Sequence, residues 1–317
     1  MAGACKGADV VITALPSPAV SRKVVEGAGG VFENLASGGV WIEMSTTDFE
    51  DLKRLQSEAS LRGINVLECP VTGGVHLAAR GEITVLVGGD ADLFAMHRPA
   101  LEAIGDKIFH MGPLGSAAVI KVITNMLAFI HLVADGEALM LAKRGGLDLK
   151  TAWEAITASS GSSFVHETEG QLILNGSYDI AFTMDLALKD LGFAMGFGRE
   201  FGVPLDLAAM TNQTFMKGKA VYGGTAQSTQ IVKLLEADVT AERTVIIGFK
   251  IADTKILTAT HGHYDHLGGL LDVPGVPLFA PQAEILAYAQ HVAERFDLRR
   301  DISFETSVTS AHYNEDS

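Results

Sequence analysis

The sequence predicts an α/β protein: a doubly wound sheet, followed by an all-helical domain and a short α/β tail. Three successive patterns along its 317 residues indicate this architecture. From Ala8 to His110, short β-rich apolar runs alternate with helix-like segments, as in α/β domains. From Ser116 to about Glu236 the apolar spacing is helical throughout, and from Ala237 onward strand-like and helix-like runs mix again.

The predicted strands of the first part are short apolar runs, each closed by Gly, Pro, Ser or Thr. Their composition suits a sheet that is covered on both faces. They are Asp9 to Ala14, Val40 to Glu43, Asn65 to Glu68, Ile83 to Val87 and Lys107 to His110.

Glycine signals mark the predicted helix ends of the second part. These signals are Gly145-Gly146, Asn175-Gly176, Gly202 before Pro204, and Gly223-Gly224. The first of these helices contains the longest apolar stretch, Val119 to Leu141. We predict a buried helix of a water-soluble protein, because this stretch carries too many polar groups for a lipid-facing span. These groups are Lys121, Asn125, His131, Asp135 and Glu137.

Composition limits the function. The 38 acidic and 24 basic residues give a net charge of −14, which disfavours nucleic-acid phosphates and anionic membrane surfaces. Two cysteines, Cys5 and Cys69, cannot form a disulfide framework. The N-terminal run MAGACKGADVVITALP lacks the basic-then-apolar order of a secretory signal. The sequence therefore indicates a cytoplasmic protein that acts on a small molecule, with neither nucleic acid nor membrane as a partner.

Lys121 and Asn125 stand out on the long apolar helix. Positions four apart share a helix face, so both side chains point the same way from an otherwise apolar cylinder. Desolvation lowers the pKa of a buried lysine and lets it exchange protons near neutral pH. The alternative is a lysine that extends past the sheet edge to solvent, beside an asparagine bonded to backbone.

The segment Glu68-Cys69-Pro70-Val71-Thr72-Gly73-Gly74 follows a predicted strand. Gly73 and Gly74 let the backbone approach a ligand closely, and successive amides with the Thr72 hydroxyl can bind a carboxylate. The carboxyl ends of strands are also where open α/β sheets bind ligands. The alternative is an ordinary glycine turn.

Phe182 and Lys189 form the third candidate. Phe182 could offer a flat wall to a cofactor ring, and Lys189 a second cation in the same cleft. The alternative is core packing by Phe182, with Lys189 and Asp190 on a solvated face.

Taken together, five ordered motifs resemble the β-hydroxyacid dehydrogenases, the group of 3-hydroxyisobutyrate dehydrogenase and tartronate semialdehyde reductase. The motifs are ADVVITALP, WIEMSTTD, ECPVTGG, GPLGSAAVIKVITN and LALKDLGFA, between Ala8 and Glu236. The resemblance implies a partial Rossmann domain over residues 1–115 and an all-helical domain over residues 116–240. It also implies reversible hydride transfer between NAD or NADP and a small β-hydroxy acid, without a metal, and a homo-oligomer.

The resemblance also implies roles for individual residues. It makes Lys121 the catalytic acid/base. The cofactor would lie against Leu15, Pro16, Ser45, Thr46, Phe182 and Lys189. The substrate would lie against Thr72, Gly73, Gly74 and Asn125. Ala117 stands where the family usually has a glycine.

The family opens with a strand, the glycine fingerprint G-x-G-x-x-G and a helix, which hold the dinucleotide pyrophosphate. That fingerprint does not occur in this sequence. Gly27-Ala28-Gly29-Gly30 is not a substitute, because no strand precedes it and Phe32 occupies the third glycine position. We therefore expect an N-terminally truncated family member whose cofactor binding is impaired.

A histidine cluster suggests a different enzyme class. His261, His263, Asp265 and His266 have the H-x-H-x-D-H spacing of a dinuclear zinc site. The surrounding residues resemble the metallo-β-lactamase fold family, which makes a zinc-dependent hydrolase the alternative function. Because that family needs further ligands downstream, we expect weak metal capture.

The last residues, about Gln282 to Ser317, resemble a stretch of the flavin-dependent Baeyer-Villiger monooxygenases. Residues 241–280 and 281–317 are thus predicted to be two foreign fragments, and the whole chain a composite. A third hypothesis follows, in which the chain is inactive and prone to associate through uncovered sheet edges.

Overall fold

The computed structural model of the protein describes residues 2–240, 244–245 and 259–260. Residues 2–236 lie in one compact unit. In the second unit, strands β7 (Thr244–Val245) and β8 (Ala259–Thr260) pair antiparallel. Otherwise the predicted fragments 241–280 and 281–317 lie outside the described residues, as do the four predicted zinc ligands.

Six strands form the sheet of the first unit. They are β1 Val10–Thr13, β2 Val40–Glu43, β3 Asn65–Glu68, β4 Val71–Thr72, β5 Ile83–Gly88 and β6 Gly105–Gly112. The order is β1-β2-β3-β5-β4, with β6 also paired to β5. The first three strands run parallel, β5 is antiparallel to β3 and β4, and β6 is parallel to β5.

The five predicted strands are all present, and the structure adds β4. This strand has only two residues, Val71 and Thr72, so apolar periodicity could not reveal it. It forms because the chain turns back after Cys69-Pro70 and pairs with Val85 and Thr84 of β5. The sheet is mixed rather than purely parallel, because β5 runs antiparallel to both β3 and β4.

Helices cover this sheet. They are α1 Ala2–Cys5, α2 Pro18–Val25, α3 Val31–Asn34, α4 Phe49–Ser60, α5 Gly74–Ala78 and α6 Ala91–Glu102. Beneath them β2 is buried along its whole length, and the Trp41 indole N–H donates to Thr13 Oγ1 at 2.8 Å. β1 has an open edge among the described strands, and Ile12 on it is exposed.

Six α-helices and a short 3-10 helix, Ser228–Ile231, follow. The α-helices are α7 Ser116–Arg144, α8 Leu149–Thr157, α9 Phe164–Leu174, α10 Met184–Phe201, α11 Asp206–Tyr222 and α12 Val232–Thr240. α7, α9, α10 and α11 end next to the predicted stops, at Gly145, Asn175, Gly202 and Gly223. Gly202 has the left-handed φ of +67° that a helix-ending glycine often adopts.

The long helix α7 connects the two parts. It contacts strands β4, β5 and β6 on one side and helices α8 to α11 on the other. Within the described residues it is the one helix long and apolar enough to cross a membrane, a test that core helices also pass. Its polar residues Lys121 and Asp135 are buried against neighbouring elements. The division of the chain at residues 115/116 stays a prediction.

Candidate active site

Thr72, Gly73 and Gly74 form the turn that joins β4 to α5. Gly73 has φ +126° and Gly74 φ +80°, a region that side chains rarely adopt. A Cβ on Gly73 would also lie 2.8 Å from Leu77 Cδ1. Glycine is therefore required, and the backbone N–H groups of such a turn can converge on an anion. We call residues 72–74 the cradle.

Lys121 lies in the second turn of α7, with 8% of its surface exposed. Its Nζ donates to Asn125 Oδ1 at 2.8 Å, one helical turn away. Burial lowers the pKa of Lys121 to about 8, while the negative charge of Asp190 opposes this shift and the positive charge of Lys189 adds to it. The alternative of a lysine reaching past the sheet edge to solvent is therefore wrong.

Asp190 joins the two lysines. Its Oδ2 accepts from Asn125 Nδ2 at 2.6 Å, and its Oδ1 lies 2.8 Å from Lys189 Nζ. Asp190 is 1% exposed, so the expected alternative of a solvated Lys189-Asp190 face is wrong. A row of alternating charge and amide, Lys121–Asn125–Asp190–Lys189, thus runs from α7 to α10. We call it the lysine network.

The lysine network reaches the sheet through Lys189, whose Nζ donates to the Thr46 carbonyl oxygen at 3.3 Å. Thr46 and Ser45 follow β2, and Leu15 and Pro16 follow β1. Because these strands are parallel, the two segments meet at one edge. The Leu15 N–H donates to Ser45 Oγ at 2.7 Å, which holds the segments together.

Phe182 precedes α10 and is partly buried. Its ring centroid lies 5.8 Å from that of Phe129 in the helical core, and its N–H donates to Gln227 Oε1 at 3.1 Å. Phe182 therefore packs in part against the helical core, as the alternative interpretation expected. Its predicted place beside the nicotinamide stays a prediction.

Glu68 links the sheet to α7. It ends β3, is 1% exposed, and accepts the N–H groups of Gly115, Ala117 and Ala118 at 2.5, 2.9 and 3.1 Å. Burial raises the pKa of Glu68 to about 7, although these three donors favour the ionised form. Gly88 leaves the required room, since a Cβ there would collide with Glu68 Oε1.

Glu68 connects the strand that precedes the cradle to the helix that carries Lys121. The cradle begins four residues after Glu68, and Lys121 lies one helical turn beyond the Ala117 N–H that Glu68 binds. α7 also contacts β4, whose last residue is Thr72. The helix that carries the buried Lys121 amine of lowered pKa is therefore in contact with the strand that ends at Thr72.

Two family models match the chain, one for each of its two parts. Residues 115–235 match the family model described as NAD-binding of NADP-dependent 3-hydroxyisobutyrate dehydrogenase. Residues 1–112 match the NAD binding domain of 6-phosphogluconate dehydrogenase. The chain is 33% identical over 229 residues to 2-(hydroxymethyl)glutarate dehydrogenase of Eubacterium barkeri, covering 72% of this chain and 76% of that protein.

The chain belongs to the β-hydroxyacid dehydrogenase family. L-threonate dehydrogenase of Cupriavidus necator, 30% identical, covers 71% of this chain and 76% of its own length. The solved 3-hydroxyisobutyrate dehydrogenase of Mycobacterium tuberculosis superposes with a TM-score of 0.67 at 28% identity, covering 74% of this chain and 82% of that one. The family consists of NAD- or NADP-dependent oxidoreductases that act on 3-hydroxyacids, and this chain is an enzyme of that class.

The residues at the edge formed by β1 and β2 fit the nicotinamide end of this family's cofactor. Pro16 is exposed and Leu15 half-exposed, which offers apolar surface to a flat ring. Thr46 adds a partly exposed hydroxyl for a sugar. Lys189 Nζ lies beside the Thr46 carbonyl.

The predicted zinc ligands His261, His263, Asp265 and His266 lie outside the described residues. Within residues 2–240, 244–245 and 259–260, no group of three or more His, Cys, Asp or Glu side chains is placed to hold a metal ion. The relatives named above are dehydrogenases, and none of them supports the zinc hydrolase alternative.

Two polar residues of this site were missed by reasoning from the sequence. Asp190 was considered only in the alternative interpretation, on a solvated face with Lys189. In the structure Met184, Ala187, Leu191 and Ala194 form a buried stripe along α10. Position 190 lies three residues after Ala187, at the margin of that stripe. This helical spacing is the feature of the sequence that could have predicted the burial of Asp190. Glu68 gave no local signal, because its partners lie 47 to 50 residues away.

The raised pKa of Glu68 predicts a pH-dependent effect of Glu68→Gln on stability. The folded state binds the Glu68 proton more tightly than the unfolded chain does. The protonated Glu68 carboxyl therefore makes its full contribution to the free energy of unfolding below pH 4.5. This contribution is lost as the pH rises through 7. Between pH 4.5 and 8 we expect the free energy of unfolding of the variant to rise by about 3 kcal/mol relative to that of the wild type.

Urea denaturation followed by circular dichroism at several pH values measures this difference. Glu58→Gln is the matched control, because Glu58 is 41% exposed and pairs with Arg62 on the surface of α4. Parallel stability curves for wild type and Glu68→Gln across this pH range would contradict the assignment.

Proposed function

We propose that this chain interconverts a small β-hydroxy acid and its carbonyl product, with Lys121 as the acid/base and the cradle as the carboxylate site. The observation that supports this most directly is the buried Lys121 amine, whose pKa of about 8 suits proton exchange near neutral pH. The substrates in the names of the relatives, 2-(hydroxymethyl)glutarate, L-threonate and 3-hydroxyisobutyrate, are all small hydroxy acids. We expect a substrate of this kind.

The cradle binds the substrate carboxylate. N–H groups of Gly73 and Gly74 and the Thr72 hydroxyl donate to its oxygens, since the positive φ values of both glycines are compatible with a turn whose amides bind an anion. The Asn125 amide, held by Asp190, lies next to Lys121 and orients the substrate hydroxyl. These contacts fix the reacting carbon next to the amine.

A bound NAD or NADP would supply the hydride acceptor for oxidation of the hydroxyl-bearing carbon and the hydride donor for reduction. In oxidation, neutral Lys121 accepts the hydroxyl proton as the carbonyl forms. In reduction, the Lys121 ammonium gives that proton to the carbonyl oxygen. Leu15, Pro16, Ser45, Thr46, Phe182 and Lys189 hold the cofactor.

Lys121→Met tests the acid/base assignment. Methionine keeps a long apolar side chain but cannot exchange a proton, so we expect turnover of the hydroxy acid to fall about 100-fold to 10,000-fold. Affinity for the cofactor, measured by fluorescence titration with NADPH, should not change.

Lys107→Met is the matched control, because Lys107 is exposed on β6. Turnover by Lys121→Met within a few-fold of the wild type would refute the assignment. A wild type that binds neither NADH nor NADPH at millimolar concentration would instead favour the hypothesis of an inactive composite chain.

The pH dependence of oxidation tests the lysine network. Asp190 favours the ammonium form of Lys121, so Asp190→Asn should lower that pKa further below its usual range. The rise of kcat/KM with pH should then move about one pH unit toward lower pH. Lys189→Met should shift the profile in the opposite direction, because Lys189 repels the ammonium. Unshifted profiles for both variants would show that Lys121 is not the titrating group.

Cytoplasmic location and self-association complete the proposal. Both cysteines are free and buried, consistent with a reducing compartment. Large apolar side chains are exposed on two contacting helices, Ile123 and Leu127 on α7 and Leu207 and Met210 on α11. Such a surface suits a second copy of the chain rather than nucleic acid or a membrane.

Light scattering tests the self-association. We expect the wild type to have at least twice the 33.5 kDa mass of one chain, and Leu127→Lys to lower that mass by placing a charge in the contact. Leu61→Lys, at an isolated and 80% exposed position after α4, is the control and should leave the mass unchanged. A monomeric wild type would overturn this part of the proposal.

A further inference from the structure

Directly beside the cradle, α5 carries an imidazole whose ring lies against the cradle backbone. His76 is partly buried, and a Cβ placed on Gly74 would lie 3.2 Å from His76 Cε1 and 3.3 Å from Nδ1. The ring therefore lies within contact distance of the second cradle glycine, which is itself exposed and whose left-handed φ of +80° favours the absence of a side chain.

The ring is supported from the other part of the molecule. Phe164, the first residue of α9, stacks on His76 with a centroid distance of 6.4 Å and an interplanar angle of 15°. The Phe164 side chain is otherwise 56% exposed. An aromatic pair thus joins the sheet part to the helical part next to the carboxylate site, and it fixes the plane of the imidazole.

The His76 ring nitrogens have no hydrogen-bond partner among the described residues. His110 Nε2 lies 3.0 Å from the Gly89 carbonyl oxygen, and both His166 ring nitrogens lie within 3.2 Å of oxygen atoms. The buried Nε2 of His97, like the His76 ring, has no such partner. The nearby Arg80 is already paired with Glu82 at 2.8 Å. An oriented donor thus stands unused next to an anion-binding turn.

We propose that His76, oriented by Phe164, forms a second acid subsite that hydrogen-bonds a further carboxylate of the substrate and so selects hydroxy dicarboxylic acids. This inference rests on the proposed function of the cradle. A carboxylate has only acceptor atoms, and the imidazole supplies an N–H in either tautomer. The first carboxylate occupies the cradle donors, whereas His76 lies on the α5 side of Gly74. The Phe164 ring offers apolar surface to the carbon chain between the two acid groups.

Paired substrates test the subsite on the full chain in the presence of NADP. The probes are 2-(hydroxymethyl)glutarate, which has two carboxylates, and 3-hydroxyisobutyrate, which has one. Binding is measured by calorimetry and turnover by the absorbance of the reduced nicotinamide. We expect the wild type to prefer the dicarboxylate, and His76→Ala to lose about tenfold or more in both affinity and kcat/KM for it alone.

Two further variants complete the design. His76→Gln keeps an N–H donor and should recover part of the preference. His97→Ala removes a histidine from α6 and should leave both substrates unaffected.

Equal losses for the two acids in His76→Ala would overturn the inference and assign His76 a role in folding of α5. A wild type without preference for the dicarboxylate would overturn it as well. Selective binding of the dicarboxylate without turnover of either acid would support the subsite while refuting the proposed reaction. Turnover of the hydroxy acids that does not depend on His76 would support the proposed reaction and refute the subsite.

Discussion

The buried carboxylate of Glu68 fixes how the sheet and the helical part of this protein meet. It ends a central strand and accepts three N–H groups from the first turn of α7, which would otherwise have no partner. A negative charge is also favourable at the positive end of a helix dipole. The interaction sets the axis of α7, and through it the position of Lys121 relative to the cradle.

A single buried carboxylate also governs the electrostatics of the candidate active site. Lys121 and Lys189 share one buried carboxylate, Asp190, so the lysine network has one net positive charge in a chain of net charge −14. Asp190 offsets part of the repulsion between the two lysines, and the remaining charge suits an anionic substrate. Burial then lowers the pKa of Lys121 to about 8, in the range where an amine both gives and takes protons.

Periodicity predicted the elements because each signal is local. The strands at Val40–Glu43 and Asn65–Glu68 were predicted to the residue, since apolar runs closed by turn residues leave little choice. Helix ends after α7, α9, α10 and α11 followed from glycine and asparagine. The two-residue strand β4 was missed, because it forms only by pairing with β5 after the chain reverses. The antiparallel step between β3 and β5 was equally invisible, as register and direction depend on partners distant in sequence.

The sequence by itself determined the α/β-then-helical architecture, the family, and the residue types available for chemistry, because apolar spacing, turn residues and motif order are all written along the chain. Only the tertiary structure decided which of those residues are buried, paired and charged together. Asp190, Glu68 and His76 gained their significance from contacts with Asn125, the α7 amides and Phe164. Desolvation and hydrogen bonding act through space, so the pKa of a lysine or a carboxyl is set by neighbours that sequence distance does not reveal.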